Sequence, residues 1–175
     1  EYVLWRDDGS GDLASVSTEA YRGALSSSVE VSGLEGGRSY RFAVSAVSAS
    51  GEGDRSDVVA QSTSPAAVAA APVSVSQTAS SIHLSWSAPS VSTGLAATGY
   101  RVLYSLVPGG PLLLGYDGSG DVTREATVVG LNGSTTYQFG VHAVSGAGSG
   151  DVSAYRSVST SPAAPGQVQS ISQTG

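Results

Sequence analysis

The sequence predicts an all-β chain of tandem two-sheet sandwiches, and three observations carry that prediction. Residues recur at one fixed offset: Leu34 and Leu131, Tyr40 and Tyr137, Gly51 and Gly148, Asp54 and Asp151, and Pro65 and Pro162 are each 97 positions apart. Within each copy apolar residues alternate with others, as in Tyr40-Arg41-Phe42-Ala43-Val44 and Tyr137-Gln138-Phe139-Gly140-Val141, which is the period of a strand with one buried face. Charged residues make up only 13% of the chain, and no stretch sustains the i, i+3, i+4 apolar pattern of an amphipathic helix. A period of this length exceeds the ~20–50 residues of a solenoid unit and suits a small domain with its own core.

Tyr2 to Trp5 reads as a short strand and corresponds to Arg101 to Tyr104 in the second copy. Nothing before it supplies the two strands that precede its counterpart, so residues 1–64 are expected to be the C-terminal part of a first module, continued upstream. Asp7 to Ser28 is rich in Gly, Ser and Asp, with an expected edge strand around Leu13 to Val16. Val29 and Val31 alternate toward Leu34 as a strand, Ser39 to Val47 forms the next, and Val58 to Gln61 closes the module after a turn at Ala49 to Asp54.

Residues 65–72 form a linker bounded by Pro65 and Pro72, where proline blocks ladder pairing and the alanines carry little bulk. Residues 73–161 then hold a complete module. Val73, Val75 and Gln77 lie on its first strand, and Ile82, Leu84 and Trp86 face inward from the second, which Pro89 ends. Tyr100, Val102 and Tyr104 line the third strand, Leu112 to Tyr116 pairs beside it, and Ala126 and Val128 lead to Leu131. Thr136 to Ser145 and Val152 to Val158 complete the unit. Residues 162–166 repeat the linker, and residues 167–175 resemble Pro72 to Ala79, the first strand of a third module.

In both copies a Leu precedes a Gly-containing turn and a Tyr follows it, as Leu34 and Tyr40 and as Leu131 and Tyr137. This arrangement resembles the fibronectin type III module, an immunoglobulin-like sandwich of about seven strands. The resemblance implies that the chain turns a corner between sheets there and that the Tyr hydroxyl bonds back to backbone at the corner. It also implies that Trp86 sits at the centre of the core. Trp86, Tyr100, Leu131, Tyr137, Phe139, Leu34, Tyr40 and Phe42 are therefore expected to be structural core.

Composition excludes several roles. The net charge is −6 and the eight basic residues, all Arg, form no cluster, so the basic face that nucleic acid requires is missing and no nucleic-acid partner is expected. The longest apolar run, Ala66 to Val73, falls far short of the ~20 residues that span a bilayer, so this segment is not expected to insert in a membrane. With no Cys there are no disulfides, no thiolate catalysis and no Cys-type zinc site.

Candidate sites are few. His83 and His142 alternate outward, and in the topology the resemblance implies they lie on different sheets, which prevents a shared metal or a Ser-His-carboxylate set. Asp-Gly-Ser-Gly-Asp occurs at Asp8 to Asp12 and Asp117 to Asp121, but the spacing departs from a calcium loop and both copies read as turns. Gly146 to Gly150 lies between strands with no helix to receive phosphate and reads as a hairpin loop. Asn132-Gly133-Ser134, holding the chain's one Asn, forms an N-glycosylation sequon on an exposed turn.

The expectation is a non-catalytic structural or adhesive segment of a larger extracellular or cell-surface protein, with no cofactor. Its modules would act as semi-rigid spacers and assembly surfaces whose partners are other protein modules, copies of itself and glycans. Two other settings share this fold: accessory modules of a secreted carbohydrate-active enzyme, and part of a receptor ectodomain.

Overall fold

Alternating apolar residues that can bury only one face favour paired strands, and the computed structural model, which describes residues 1–10, 16–24, 27–90 and 93–166, is all-β. The first unit comprises β1 (Tyr2–Arg6), β2 (Thr18–Gly23), β3 (Ser39–Ser48), β4 (Gly51–Glu52) and β5 (Val59–Ser62). The second comprises β6 (Val73–Gln77), β7 (Ser81–Ser85), β8 (Gly99–Ser105), β9 (Leu113–Ser119), β10 (Glu125–Val129), β11 (Thr136–Ser145), β12 (Gly148–Ser149) and β13 (Arg156–Ser159).

The second unit is a sandwich of two antiparallel sheets. One has the order β10-β7-β6; the other has the order β12-β11-β8-β9, with β13 also paired to β11. β12 and β13 are one closing strand interrupted at Gly150 to Tyr155. There Ser153 stands in for a ladder partner: its N–H donates to Val141 O and its hydroxyl accepts from Val141 N. The core lies between the sheets. Ile82, Leu84, Val102, Val128, Phe139 and Val141 are fully enclosed, and the Trp86 ring meets Tyr100 edge-on at 5.6 Å. Val68 also enters this core, so the Ala-rich stretch before β6 does contribute bulk to it.

The first unit repeats only the larger sheet, in the order β2-β1-β3-β4 with β5 also on β3. Its register places Leu4 opposite Val44, and Phe42 opposite Val59, on one face. No second sheet covers that face among the described residues. Val44 is accordingly 39% exposed, whereas its counterpart Val141 is 0% exposed. Phe42 and Leu34 are half-buried for the same reason, while Tyr40 is buried by the corner beneath it.

Two expected elements differ. Val29 to Leu34 forms no strand, because its counterpart β10 is held by pairing to β7 and the described first unit has no strand in that place. The edge strand is β2, paired to β1 over Thr18–Gly23. Leu13 lies outside the described residues, and Val16 is buried without belonging to a strand. Residues 167–175, the expected opening of a third module, also lie outside them.

Candidate functional site: the joint between the units

Each corner is built by the same local chemistry. Glycine at φ +72° (Gly33) and +77° (Gly130) turns the chain ahead of the Leu, a conformation that disfavours residues bearing a Cβ. The Tyr hydroxyl then accepts a backbone N–H five residues back, from Glu35 to Tyr40 at 3.0 Å and from Asn132 to Tyr137 at 2.9 Å. A threonine on the segment leaving the closing strand ties the turn down. Thr63 Oγ1 donates to Glu35 O at 2.8 Å, as Thr160 Oγ1 does to Asn132 O at 2.6 Å.

The first corner carries the second unit. Gly94 N donates to Gly37 O at 3.0 Å, Ser39 N donates to Thr93 Oγ1 at 3.1 Å, and that hydroxyl donates to Gly9 O at 2.8 Å. Backbone approaches backbone so closely that a Cβ on Gly94 would lie 2.5 Å from Gly37 C and 2.6 Å from Arg38 N. A Cβ on Gly150 would lie 2.2 Å from Pro65 O. Neither glycine has a positive φ. Gly94 and Gly150 therefore allow contact between units, in contrast to Gly33 and Gly130, which allow a turn. A groove of about 510 Å³ runs along the joint, with Val31 and Leu34 on one wall and Ala147 and Asp151 on the other.

Charge supports the first corner from behind. Asp7 is 3% exposed and receives Arg41 Nε at 2.8 Å, Arg41 N at 3.0 Å and Gly9 N at 3.1 Å. Burial pushes its carboxyl up, but the Arg41 guanidinium and the two backbone donors outweigh that and hold it below the usual carboxylate range. The bond to Gly9 N anchors the residue whose carbonyl Thr93 reaches.

Trp86, Tyr100, Leu131, Tyr137 and Phe139 all lie in the second unit's core. Asn132 is exposed on the second corner. His83 lies on β7, its Nδ1 2.9 Å from Thr127 Oγ1, and His142 lies on β11 in the other sheet, its Nδ1 2.7 Å from Gly150 O. At Asp117 to Asp121 the carboxylates serve the loop itself: Asp117 accepts from Ser119 and Arg101, and Asp121 accepts from Thr123 N and Tyr116. The Ser119 hydroxyl, and at Asp121 the bonds from Thr123, hold these two groups below the usual range. In the earlier copy Gly11 and Asp12 lie outside the described residues, and Asp8 accepts from Ser10 N. Gly146 and Ala147 form the tip of the β11–β12 hairpin. Among the described residues no cluster of His, Cys, Asp and Glu is suited to a metal ion, and no helix is long and apolar enough to cross a membrane.

The joint residues Thr93, Gly94 and Gly150 were not legible as a site. A Thr-Gly pair between strands carries the same signal as any loop, and only the approach of another backbone distinguishes it.

A family model, the fibronectin type III domain, matches residues 67–159. The chain belongs to the fibronectin type III family. Among solved structures, a two-domain fibronectin type III segment of chicken tenascin is similar over 91% of this chain and 83% of its own, at 21% identity and TM-score 0.50. The sixth fibronectin type III domain of human fibronectin type III domain containing protein 3 is 27% identical over 62% of this chain and 97% of its own, at TM-score 0.48. No curated protein sequence matches the chain. Fibronectin type III modules are typically non-catalytic, serve structural and interaction roles and mediate contacts between proteins.

Proposed function

We propose that this chain is a non-catalytic spacer of a larger extracellular or cell-surface protein, in which consecutive fibronectin type III modules are held at a fixed angle to present assembly surfaces. We divide it as the sequence suggests: part of a first module to residue 64, a linker over 65–72, a complete module over 73–161, and a second linker over 162–166 leading into a third module. The observation that carries the reading is the joint. A flexible tether would leave the units to tumble separately, whereas here backbone groups of both units bond directly, and Gly94 sits where no side chain fits.

The test is backbone 15N relaxation on the full chain. The two units should share one rotational correlation time, and Gly94→Val should give each its own without lowering the second unit's melting temperature by more than a few degrees. Independent tumbling of the unaltered chain would overturn the proposal. Asn132, exposed on the second corner, is the proposed N-glycan site. Protein from a secretory host should lose the mass of a glycan on enzymatic deglycosylation, and Asn132→Gln should carry none.

A further inference from the structure

The seat that receives the second module is built a second time, at that module's far end. Arg38 N donates to Thr63 Oγ1 at 3.1 Å, and Thr135 N donates to Thr160 Oγ1 at 3.1 Å. Thr63 N donates to Arg38 O at 2.9 Å, and Thr160 N to Thr135 O at 3.0 Å. Gly37 N donates to Ser64 O at 2.6 Å, and Ser134 N to Ser161 O at 3.2 Å. Gly37 and Ser134 share the left-handed backbone, with φ +71° and +52°. A Cβ on Gly36 would lie 3.1 Å from Ala66 Cα, and one on Gly133 3.1 Å from Ala163 N, so both exit segments press against the turn alike.

The copies differ in what lies on top. Gly37 is buried beneath the Thr93-Gly94 loop, whereas Ser134 is exposed. We infer that the second corner, centred on Ser134 and Thr136 N, is a docking seat for a further fibronectin type III module in the same chain. That module would present its own Thr-Gly loop as the second unit does. Ser134, Thr135 and Thr136 stand where the first seat has Gly37, Arg38 and Ser39, and the last two changes leave the backbone groups of the seat in place. A Cβ at Gly37 would lie 3.2 Å from Ala66 N and 3.3 Å from Ser90 O, so a loop docked over Ser134 must sit back by a few tenths of an ångström. The contact to Gly9 O is not repeated, because the β8–β9 loop closes on itself through Gly110 N and Val107 O. The second seat thus keeps the two contacts to the corner strand and lacks the third. The opposite end of each module carries the complementary part: Gly150 is filled by Pro65 O, while its counterpart Gly53 has, among the described residues, only Ala46 O within reach, at 3.6 Å.

This inference rests on the reading of the chain as a run of jointed modules, and one experiment separates the two. The full chain is extended by joining a second copy of residues 80–166 behind Gly175, and amide hydrogen exchange is followed at Ser39 and Thr136. Ser39 N, bonded to Thr93, should exchange slowly with or without the extension. Thr136 N should slow at least tenfold on extension and recover its original rate when the appended copy carries Gly94→Val. Ala at the same position is a milder second variant, expected to give partial recovery. Unaltered exchange at Thr136 beside a slow Ser39 overturns the second seat alone. Fast exchange at Ser39 overturns the jointed reading as a whole.

Discussion

Ser134 holds a left-handed backbone that costs a side-chain-bearing residue about 1–2 kcal/mol, against about 0.5–1 kcal/mol of extra chain entropy lost by glycine. Ser134→Gly should therefore stabilise the second module by about 0.5–1 kcal/mol in urea unfolding. Tyr137→Phe should act oppositely, because the part-buried Asn132 N–H would lose its acceptor at a cost of about 1–3 kcal/mol. Trp86 offers a contrast. Its Nε1 is buried with no hydrogen-bond partner among the described residues, so Trp86→Phe exchanges lost contact for relief of an unmet donor and should cost under about 1 kcal/mol. Phe139→Ala, which removes a fully buried ring, should cost about 3–5 kcal/mol. Asp7 sets a pH dependence. Its folded carboxyl lies below the unfolded value, so its contribution is complete above the unfolded pKa and is lost as pH falls through the folded one. Thermal melting of the first unit should fall on acidification over that window, and Asp7→Asn should flatten the profile while lowering stability at neutral pH.

At the scale of elements, strands with two faces to satisfy were legible wherever alternation was strict. Ile82, Leu84 and Trp86 on one side of β7 and Tyr100 and Val102 on one side of β8 follow directly from period two. The corners were legible because Leu, Gly and Tyr recur at fixed spacing, and each Tyr hydroxyl does reach back to backbone. Legibility failed where an element depends on a partner. Val29 to Leu34 has the alternation of a strand and, among the described residues, no neighbour to pair with, and β2 forms from Thr18–Gly23 because β1 offers it an edge. The joint was hidden for a related reason. Gly94 and Gly150 have ordinary dihedrals, and their need for glycine arises from a backbone far away in sequence.

At the scale of the molecule, the joint unites parts read separately: a corner read as a fold determinant, a linker read as a spacer and a hairpin read as a loop. The corner strand receives Thr93 and Gly94, the linker carbonyl of Pro65 fills the space beside Gly150, and Val68 ties the linker into the next core. These contacts are few beside the ladders of either sheet, and that ordering has a mechanical consequence. Under a load applied along the chain, the bonds from Ser39 and Gly94 should yield first, while β3 and β11 keep their full ladders. Pro65 to Ala67, whose full reach is about 10 Å, would then straighten and release the part of that length not already spanned before Val68 holds. The segment would behave as a rod at rest and a short, reversible spring under tension.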